Sequence, residues 1–266
     1  MQFTDTELSN IIDLKGISQS YDGGQNWIIK DLEFLVEDKP DQGQFVVILG
    51  MSGCGKSTLL RYMAGLQKPT EGTVLIKGSP VEETERVCMV FQQYSSLPWL
   101  TVLDNVSLAL DYKGMSKVDR HKKAMEIINL VGLEGHEHKF AQYPTLSGGQ
   151  LQRIAIARSL LANPNILLMD EPFGALDIRT RLQMQDLLTS IWRKFQSTII
   201  FVTHDISEAV YLADDIYIMK SAPSRIVSHI DVDLPIERNR YTKRDPHYVE
   251  LVHKVEDTMI EVAEMG

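Results

Sequence analysis

The segment that most constrains this chain is the nine-residue loop Gly50 to Thr58, GMSGCGKST, which directly follows an apolar run. A glycine, four residues and then Gly-Lys-Ser are typical of a phosphate-binding loop, because small residues let successive backbone N–H groups turn inward around phosphate oxygens at a helix N-terminus. In this pattern Lys56 reaches the β- and γ-phosphates and the Ser57 hydroxyl ligates Mg²⁺. A glycine-rich turn without a ligand is the structural alternative. The loop predicts binding of a nucleoside triphosphate with Mg²⁺ through Gly50, Ser52, Gly53, Cys54, Gly55, Lys56, Ser57 and Thr58.

Charge and cysteine content narrow the classes of protein to which the chain can belong. A net charge of -9 argues against nucleic acid as the main partner, because neutralising phosphates requires a basic face. With only Cys54 and Cys88, we expect no disulfide framework and a reducing, cytoplasmic compartment. No apolar run approaches about 18 residues and the N-terminus is polar, so we expect neither a membrane span nor a secretory signal. Any role at a membrane would be that of a peripheral subunit.

Two kinds of hydrophobic pattern predict a sheet-based fold. Around Ile12 to Leu14 and Leu32 to Val36, apolar and charged residues alternate, as in half-buried antiparallel strands. Four other runs are wholly apolar, which is typical of parallel strands covered by helices on both faces: Phe45 to Leu49, Val87 to Phe91, Ile166 to Met169 and Ile199 to Val202. The predicted fold class is α/β, with a mainly parallel sheet and an N-terminal antiparallel β subdomain.

The remaining patterns set the expected domain organisation. Between Gln92 and Asn165 there is no strand-like run, and the helical spacing there predicts an inserted α-helical subdomain at about 95–163 within an ATPase domain at 1–240. Further strands are expected at Ile216 to Met219 and Ile230 to Leu234. A C-terminal helical extension at 241–266 should carry a helix from Tyr248 to Ala263, with an apolar face formed by Val249, Val252, Val255, Met259 and Val262.

Polar residues stand at the carboxyl ends of the apolar runs, where open α/β sheets bind their ligands. Adjacent carboxylates point to opposite sides of a strand, so Asp170 is predicted to support Mg²⁺ and Glu171 to act as the base for an attacking water. His204 would bond a γ-phosphate oxygen or that water. The structural alternatives are an acidic strand end before the Pro172 turn and a histidine satisfied in the core or at the surface.

Three further residues have less specific signals. Tyr21, after the first predicted strand, is either a strand-end aromatic or a platform for a nucleotide base. His136 and His138 lie in a polar, glycine-containing segment with no third metal ligand nearby, so we expect them at the surface and not on a metal.

A second anion-binding feature is predicted at the segment LSGGQ, ahead of the helix-like LQRIAIARSLLA. Ser147 and Gln150 fit the N-cap and N3 positions of a capping box. Gly148 and Gly149 lower helix stability but expose backbone N–H groups at a helix N-terminus, which can bind an anion. The chain thus has two anion-binding ends but only one phosphate-binding loop.

Together these motifs resemble the ATP-binding subunits of ABC (ATP-binding cassette) transporters. The resemblance runs from about Ile11 to Leu234, with the family's motifs in the expected order: Tyr21, Gly50 to Thr58, Gln92, Ser147 to Gln150, Asp170, Glu171, Asp177 and His204. It implies an ATPase that forms an ATP-dependent, head-to-tail homodimer, in which the signature LSGGQ of one copy closes on the nucleotide of the other. It also implies that Gln92 contacts Mg²⁺ and that Asp177 lies near the nucleotide.

Three longer segments resemble those of the nitrate, sulfonate and taurine importers of bacteria: SSLPWLTVLDNV, DEPFGALD and IMKSAPSRIVSHIDVDLP. This implies a peripheral translocase subunit at the cytoplasmic face of the inner membrane, which energises anion uptake through transmembrane permease subunits served by a solute-binding protein. Trp99 would be either an interface residue for the permease or a partly buried anchor. The rival functions are the ATPase of an ABC exporter and a soluble, non-transport ABC protein; a P-loop kinase would lack LSGGQ.

Two features depart from the family pattern, namely Met51 in the phosphate loop and the longer connection Glu37 to Gln44. Neither touches a residue with a predicted chemical role. Because the Cys54 thiol belongs to the loop, bound MgATP is expected to protect it from a thiol reagent.

Overall fold

The computed structural model describes residues 10–39, 43–84, 87–93, 95–221, 223–239 and 241–264. Residues 40–42 of the longer connection therefore lie outside the described part. The chain forms two compact units, which we call the first unit (Met1–Val87 with Thr198–Gly266) and the second unit (Cys88–Ser197). The helical insertion expected at about 95–163 falls within the second unit.

The described residues form β-strands and α-helices. The strands are β1 (Asn10–Ser20), β2 (Trp27–Glu37), β3 (Phe45–Gly50), β4 (Glu71–Ile76), β5 (Ser79–Pro80), β6 (Cys88–Val90), β7 (Ile166–Asp170), β8 (Thr198–Thr203), β9 (Asp215–Lys220) and β10 (Arg225–Asp231). The α-helices are α1 (Lys56–Met63), α2 (Val102–Tyr112), α3 (Lys117–Leu130), α4 (Gly148–Leu161), α5 (Ile178–Phe195), α6 (Ile206–Leu212) and α7 (Pro246–Glu264). Within the described ranges, none of these helices is long and apolar enough to cross a membrane.

The antiparallel sheet of the first unit has the strand order β2-β1-β4-β5. In β1, Ile12 pairs with Val36 on one side and Ile76 on the other. Burial alternates along β2, where Leu32 and Phe34 are buried and their neighbours exposed, so one face packs inward and one meets solvent. The two predicted antiparallel strands are confirmed. The sequence does not predict β4, because its first three residues are exposed and its apolar run is short.

The first unit also contains the parallel strands that lead to the phosphate loop. β3 lies between β8 and β9, and Val47 pairs with Phe201 on one side and Ile216 on the other. Every residue of β3 and β8 is buried, which accounts for their wholly apolar sequences. β10 adds antiparallel to β9 and ends at Asp231. The strand predicted at Ile230 to Leu234 is therefore placed too late in the chain, since β10 begins at Arg225 and ends at Asp231, although Leu234 stays buried.

Helix α7 packs on α6 through a face that differs from the predicted one. Tyr248 and Leu251 are buried, and the Tyr248 hydroxyl donates to Ser207 O at 2.9 Å. Val249 is 40% exposed. The predicted face is wrong at Val249, because the docking of Tyr248 sets the rotation of the helix.

The described residues of the second unit form a parallel strand pair and four helices. β6 pairs with β7, with Met89 opposite Leu168, and α4 packs against α2 and α3. The predicted helical spacing is confirmed as α3, which Gly132 follows at φ 68°, a conformation that favours glycine at a helix end. Asn105 of α2 is fully buried and holds the preceding loop, since its Nδ2 donates to Leu97 O at 2.9 Å and its Oδ1 accepts from Leu97 N at 2.8 Å.

Candidate functional site

The phosphate loop connects the end of β3 to the start of α1. Gly53 and Gly55 adopt φ values of 83° and 92°, which residues with a side chain rarely adopt. Gly50 is required for a different reason, because a Cβ there would meet Met219 O at 2.6 Å. Three glycines thus fix the backbone of the loop, and Lys56 begins the helix directly behind it.

The Lys56 side chain is folded into this loop. It is 4% exposed, and its Nζ donates to Gly50 O at 2.8 Å and to Met51 O at 2.9 Å. These carbonyl oxygens compensate for the cost of burying an ammonium group. The loop itself therefore holds a positive charge next to the backbone that the motif assigns to phosphate.

The other loop residues differ in exposure. Ser52 and Gly53 are exposed, whereas Ser57 and Thr58 are half-buried in the first turn of α1. Cys54 is fully buried, so its side chain points into the protein. The expectation that MgATP protects the Cys54 thiol is wrong in its premise, because the folded chain already covers that thiol.

His204 directly follows β8 and is exposed. The residues around it are tied together: Thr203 Oγ1 donates to Glu208 Oε2 at 2.6 Å and accepts from Asp205 N at 3.1 Å. Asp205 in turn caps the N-terminus of α6. The strand end is thus well fixed, while the imidazole of His204 reaches solvent.

Tyr21 follows β1 and is 67% exposed, and its hydroxyl accepts from Gln67 Nε2 at 3.2 Å. The next residue, Asp22, organises the turn by accepting from Asn26 N at 2.9 Å. This backbone hydrogen bond, with side-chain hydrogen bonds from Ser20 and Asn26, lowers the pKa of Asp22 to about 2. A strand-end aromatic that served packing would be buried. The exposed ring of Tyr21 fits a stacking role better.

Asp170 and Glu171 have different environments at the end of β7. Asp170 is the last strand residue and is 6% exposed. Glu171 has φ 40°, a left-handed conformation that costs a residue with a side chain about 1–2 kcal/mol. Its Oε2 accepts from Gln92 Nε2 at 3.3 Å. The predicted alternation of both carboxylates along a strand is wrong in detail, because the strand ends between them.

The signature segment forms the predicted capping box at the start of α4. Ser147 Oγ accepts from Gln150 N at 3.3 Å, and Gln150 Oε1 accepts from Ser147 N at 2.9 Å. Gly148 is half-buried and Gly149 buried. A Cβ on Gly149 would meet Thr180 Cγ2 at 2.5 Å, so this glycine also permits close packing on α5.

Asp177 is the N-cap of α5, beside that packing contact. Its Oδ1 accepts from Thr180 N at 3.0 Å. Hydrogen bonds from the Thr180 side chain and backbone lower the pKa of Asp177. The residue predicted as a neighbour of the nucleotide is thus an exposed, ionised helix cap.

Each unit brings together part of the predicted site. The first holds the phosphate loop around Lys56, and the second brings Gln92 to Glu171. Sequence reasoning missed two contacts of the signature, those of Thr180 and His136; the His136 Nε2 lies 2.9 Å from Gln150 Nε2. No local pattern signals either contact, because the partners are distant in sequence.

A cavity of about 630 Å³ occurs elsewhere in the first unit, lined in part by Asp13, Asp215, Tyr217 and His229. His229 Nε2 lies 2.8 Å from Asp215 Oδ1, and the His229 ring stacks on Tyr217 with centroids 4.5 Å apart. Among the residues that the structure describes, the lining of this cavity includes no predicted nucleotide-binding residue.

Comparison with known proteins decides the family. The model of the family described as "ABC transporter" matches residues 36–174, more than half of the 266 residues. The chain belongs to the ABC transporter family. It is an ATP-binding ABC ATPase, and the predicted fold class and family resemblance are confirmed.

Two relatives and one solved structure are similar to this ABC ATPase over most of its length. The taurine import ATP-binding protein TauB of Pseudomonas aeruginosa is 41% identical over 260 residues, which are 94% of this chain and 96% of that protein. The aliphatic sulfonates import ATP-binding protein SsuB of Bacillus cereus is 42% identical over 215 residues, which are 80% of this chain and 82% of that protein. A dimeric ATP-binding cassette in a post-hydrolysis state, bound to ADP and Pi, superposes with a TM-score of 0.70 at 33% identity, covering 84% of this chain and all of the other.

The groups of the phosphate loop fit a nucleotide phosphate. The buried Lys56 ammonium suits phosphate charge, and the Ser57 hydroxyl is a hard oxygen donor of the kind that Mg²⁺ takes together with phosphate oxygens. In the second unit, the Asp170 carboxylate is a donor of the same kind.

Proposed function

We propose that this chain is the ATP-hydrolysing subunit of an importer, which energises uptake of a small anion such as taurine, another sulfonate or nitrate through a separate transmembrane permease. The observation that carries the proposal is the presence on one chain of a phosphate loop with a buried lysine and of a capped signature helix. Similarity to taurine and sulfonate import proteins over most of their length supports the substrate class.

The subunit would be peripheral, at the cytoplasmic face of the inner membrane, with a solute-binding protein delivering the anion to the permease from outside. We assign the ATPase domain to residues 1–240, with the helical subdomain at about 95–163, and a C-terminal extension to 241–266. The -9 net charge of the chain supports a partner other than nucleic acid.

We assign the reaction to groups at the ends of β3, β7 and β8. Lys56 neutralises charge on the β- and γ-phosphates, and Ser57 and Asp170 would hold Mg²⁺, which neutralises further phosphate charge when bound. Glu171 takes the proton of the attacking water. His204 donates to a γ-phosphate oxygen, where negative charge must be held in place.

We assign two contacts to the Gln92 side chain, one through its amide nitrogen and one through its amide oxygen. Its Nε2 already bonds Glu171 at 3.3 Å, which orients the carboxylate, and its Oε1 would then be directed to Mg²⁺. Tyr21 would stack on the base, and Asp177 would lie close to the nucleotide of a second copy. A change at the phosphates would thereby reach the second unit through Gln92.

The signature helix calls for a second copy of the chain. Ser147 and the N–H groups of Gly148 and Gly149 form an anion-binding end, and the phosphate loop forms another. In a head-to-tail homodimer each nucleotide would lie between the loop of one copy and the signature of the other. The dimeric state of the similar cassette supports this arrangement.

The permease surface is assigned to the segment around Trp99. The indole is 68% exposed, which favours the interface role over the partly buried anchor. Two hydrogen bonds hold the segment in place: Asn105 Nδ2 donates to Leu97 O, and Ala141 N–H donates to Leu100 O at 3.0 Å. An exposed tryptophan on a fixed loop is a typical interface hot spot.

The test is reconstitution of the chain with the permease and solute-binding protein encoded beside it, in vesicles loaded with MgATP. We expect inward transport, relative to the cell, of labelled taurine, sulfonate or nitrate, abolished by Lys56→Ala and weakened with loss of permease binding by Trp99→Ala. Transport in the opposite direction would identify an exporter. Failure of the chain to bind any permease would favour a soluble ABC protein.

A further inference from the structure

A hydrogen-bond chain links His136 to the first turn of the signature helix. His136 lies in the segment between α3 and α4, and its Nε2 is 2.9 Å from Gln150 Nε2. Gln150 is the N3 residue of the capping box, with its Oε1 2.9 Å from Ser147 N. The cap therefore continues beyond the helix to an imidazole.

The partners fix the direction of each hydrogen bond. Because Gln150 Oε1 accepts from Ser147 N–H, the atom of Gln150 that faces His136 is the amide nitrogen, which can only donate. His136 Nε2 must then accept, so the ring is neutral and carries its proton on Nδ1. That Nδ1 lies 3.2 Å from Glu134 O, which can only accept. Every link is satisfied by one tautomer of His136.

Two charged residues near His136 or Gln150 in the chain have other hydrogen-bond partners. Arg153 of α4 donates to Val131 O, and the Glu137 carboxylate accepts from Gly135 N at 2.8 Å. Neither of these hydrogen bonds uses the His136 ring.

We propose that His136 is a positioning residue for the signature, whose Nε2 holds the Gln150 side chain in the capping box. This inference rests on the proposed function, in which the first turn of α4 binds the nucleotide of a second copy. When the cap loosens, the N–H groups of that turn lose their fixed direction. Loss of the acceptor at position 136 should therefore weaken the ATP-bound dimer.

The test uses the full chain carrying Glu171→Gln, so that hydrolysis does not remove the ATP-bound state. Sedimentation measures the dimer dissociation constant with MgATP at about pH 8. His136→Ala should weaken the dimer about threefold to tenfold, since one hydrogen bond is lost. His136→Gln offers an amide oxygen as an acceptor, and should restore most of the affinity that His136→Ala loses.

His138→Ala is the matched control, since it removes an exposed histidine from the same segment and should form a dimer as tight as that of the parent. Nitrogen NMR of the ring gives a readout that does not depend on dimerisation: the Nδ1–H tautomer is expected at about pH 8. An Nε2–H tautomer, or a His136→Ala dimer as tight as the parent, would overturn the proposal. No dimer in the parent, with the expected tautomer present, would instead count against the proposed function.

Discussion

Gly149 and Thr180 approach each other so closely that a Cβ on the glycine would lie 2.5 Å from Thr180 Cγ2. The threonine is β-branched and its backbone N–H is bound to Asp177, so the methyl group has little room to move. We predict that Gly149→Ala lowers the free energy of unfolding by about 1–3 kcal/mol, as overpacking does. Urea denaturation followed by circular dichroism measures the change.

The matched control is Gly149→Ala made in a protein that also carries Thr180→Ser. The serine lacks Cγ2 but keeps the backbone hydrogen bond to Asp177. In that background Gly149→Ala should be neutral or stabilising by up to about 1 kcal/mol, because alanine favours a helix over glycine. An equal loss of stability in both backgrounds would show that the clash is not the cause.

Replacement of the proposed base, Glu171→Gln, should reduce ATP turnover by about 10²–10⁴-fold, the usual contribution of a general base. Glutamine is close in shape and can still accept a hydrogen bond from Gln92. MgATP should therefore still bind and hold the dimer together. Phosphate release and sedimentation measure the two effects. Glu261→Gln, at an exposed position of α7, is the control. Turnover close to that of the parent would remove Glu171 from the mechanism.

The buried thiol of Cys54 should be unreactive in the native protein. In a Cys88→Ser variant, a thiol reagent should label Cys54 slowly with or without MgATP, and rapidly in denaturant, because access requires opening of the loop or the fold. Mass spectrometry of timed samples measures the modified fraction. Rapid labelling without nucleotide that MgATP prevents would show that the loop exposes Cys54 in solution.

The start of α7 should respond to pH through His247 and Asp233, whose Nε2 and Oδ1 lie 2.6 Å apart. The hydrogen bond between the two side chains raises the pKa of His247 and lowers the pKa of Asp233. The folded state thus binds the His247 proton more tightly than the unfolded state, so this stabilisation is complete below the ordinary histidine value of about 6.5. It is lost as pH rises through the raised folded value.

Asp233→Asn tests this directly. The NMR titration midpoint of His247 should fall in the variant, and the stability difference between parent and variant should shrink from about pH 6 to about pH 8.5. An unchanged midpoint would mean that the two side chains do not interact in solution.

Local patterns predict the parts of this fold whose residues share one environment. β3 and β8 are buried on both faces, so their sequences are wholly apolar and easily recognised as strands. The first half of β4 is exposed to solvent, so the hydrophobic pattern of its sequence does not predict a strand. In α7, spacing alone shows a helix but not its rotation, which the Tyr248 bond to Ser207 O decides.

The same distinction holds for the site. The phosphate loop and the Ser147–Gln150 capping box are each encoded within a few residues, and the structure contains both. The bond of Gln92 to Glu171, the contact of Gly149 with Thr180 and the bond of His136 to Gln150 join residues that are far apart in sequence. Such pairs depend on how strands and helices pack, and a single sequence carries no record of that packing.

The left-handed backbone of Glu171 sets a limit on engineering this protein for stability. At φ 40° glycine would be the relaxed choice, and a side chain costs about 1–2 kcal/mol there. A screen for thermal tolerance should therefore favour Glu171→Gly, which keeps the fold and removes the carboxylate. With the role that we propose for Glu171, improved folding and retained turnover would exclude each other at position 171, so that stabilised variants would have to be selected on activity as well.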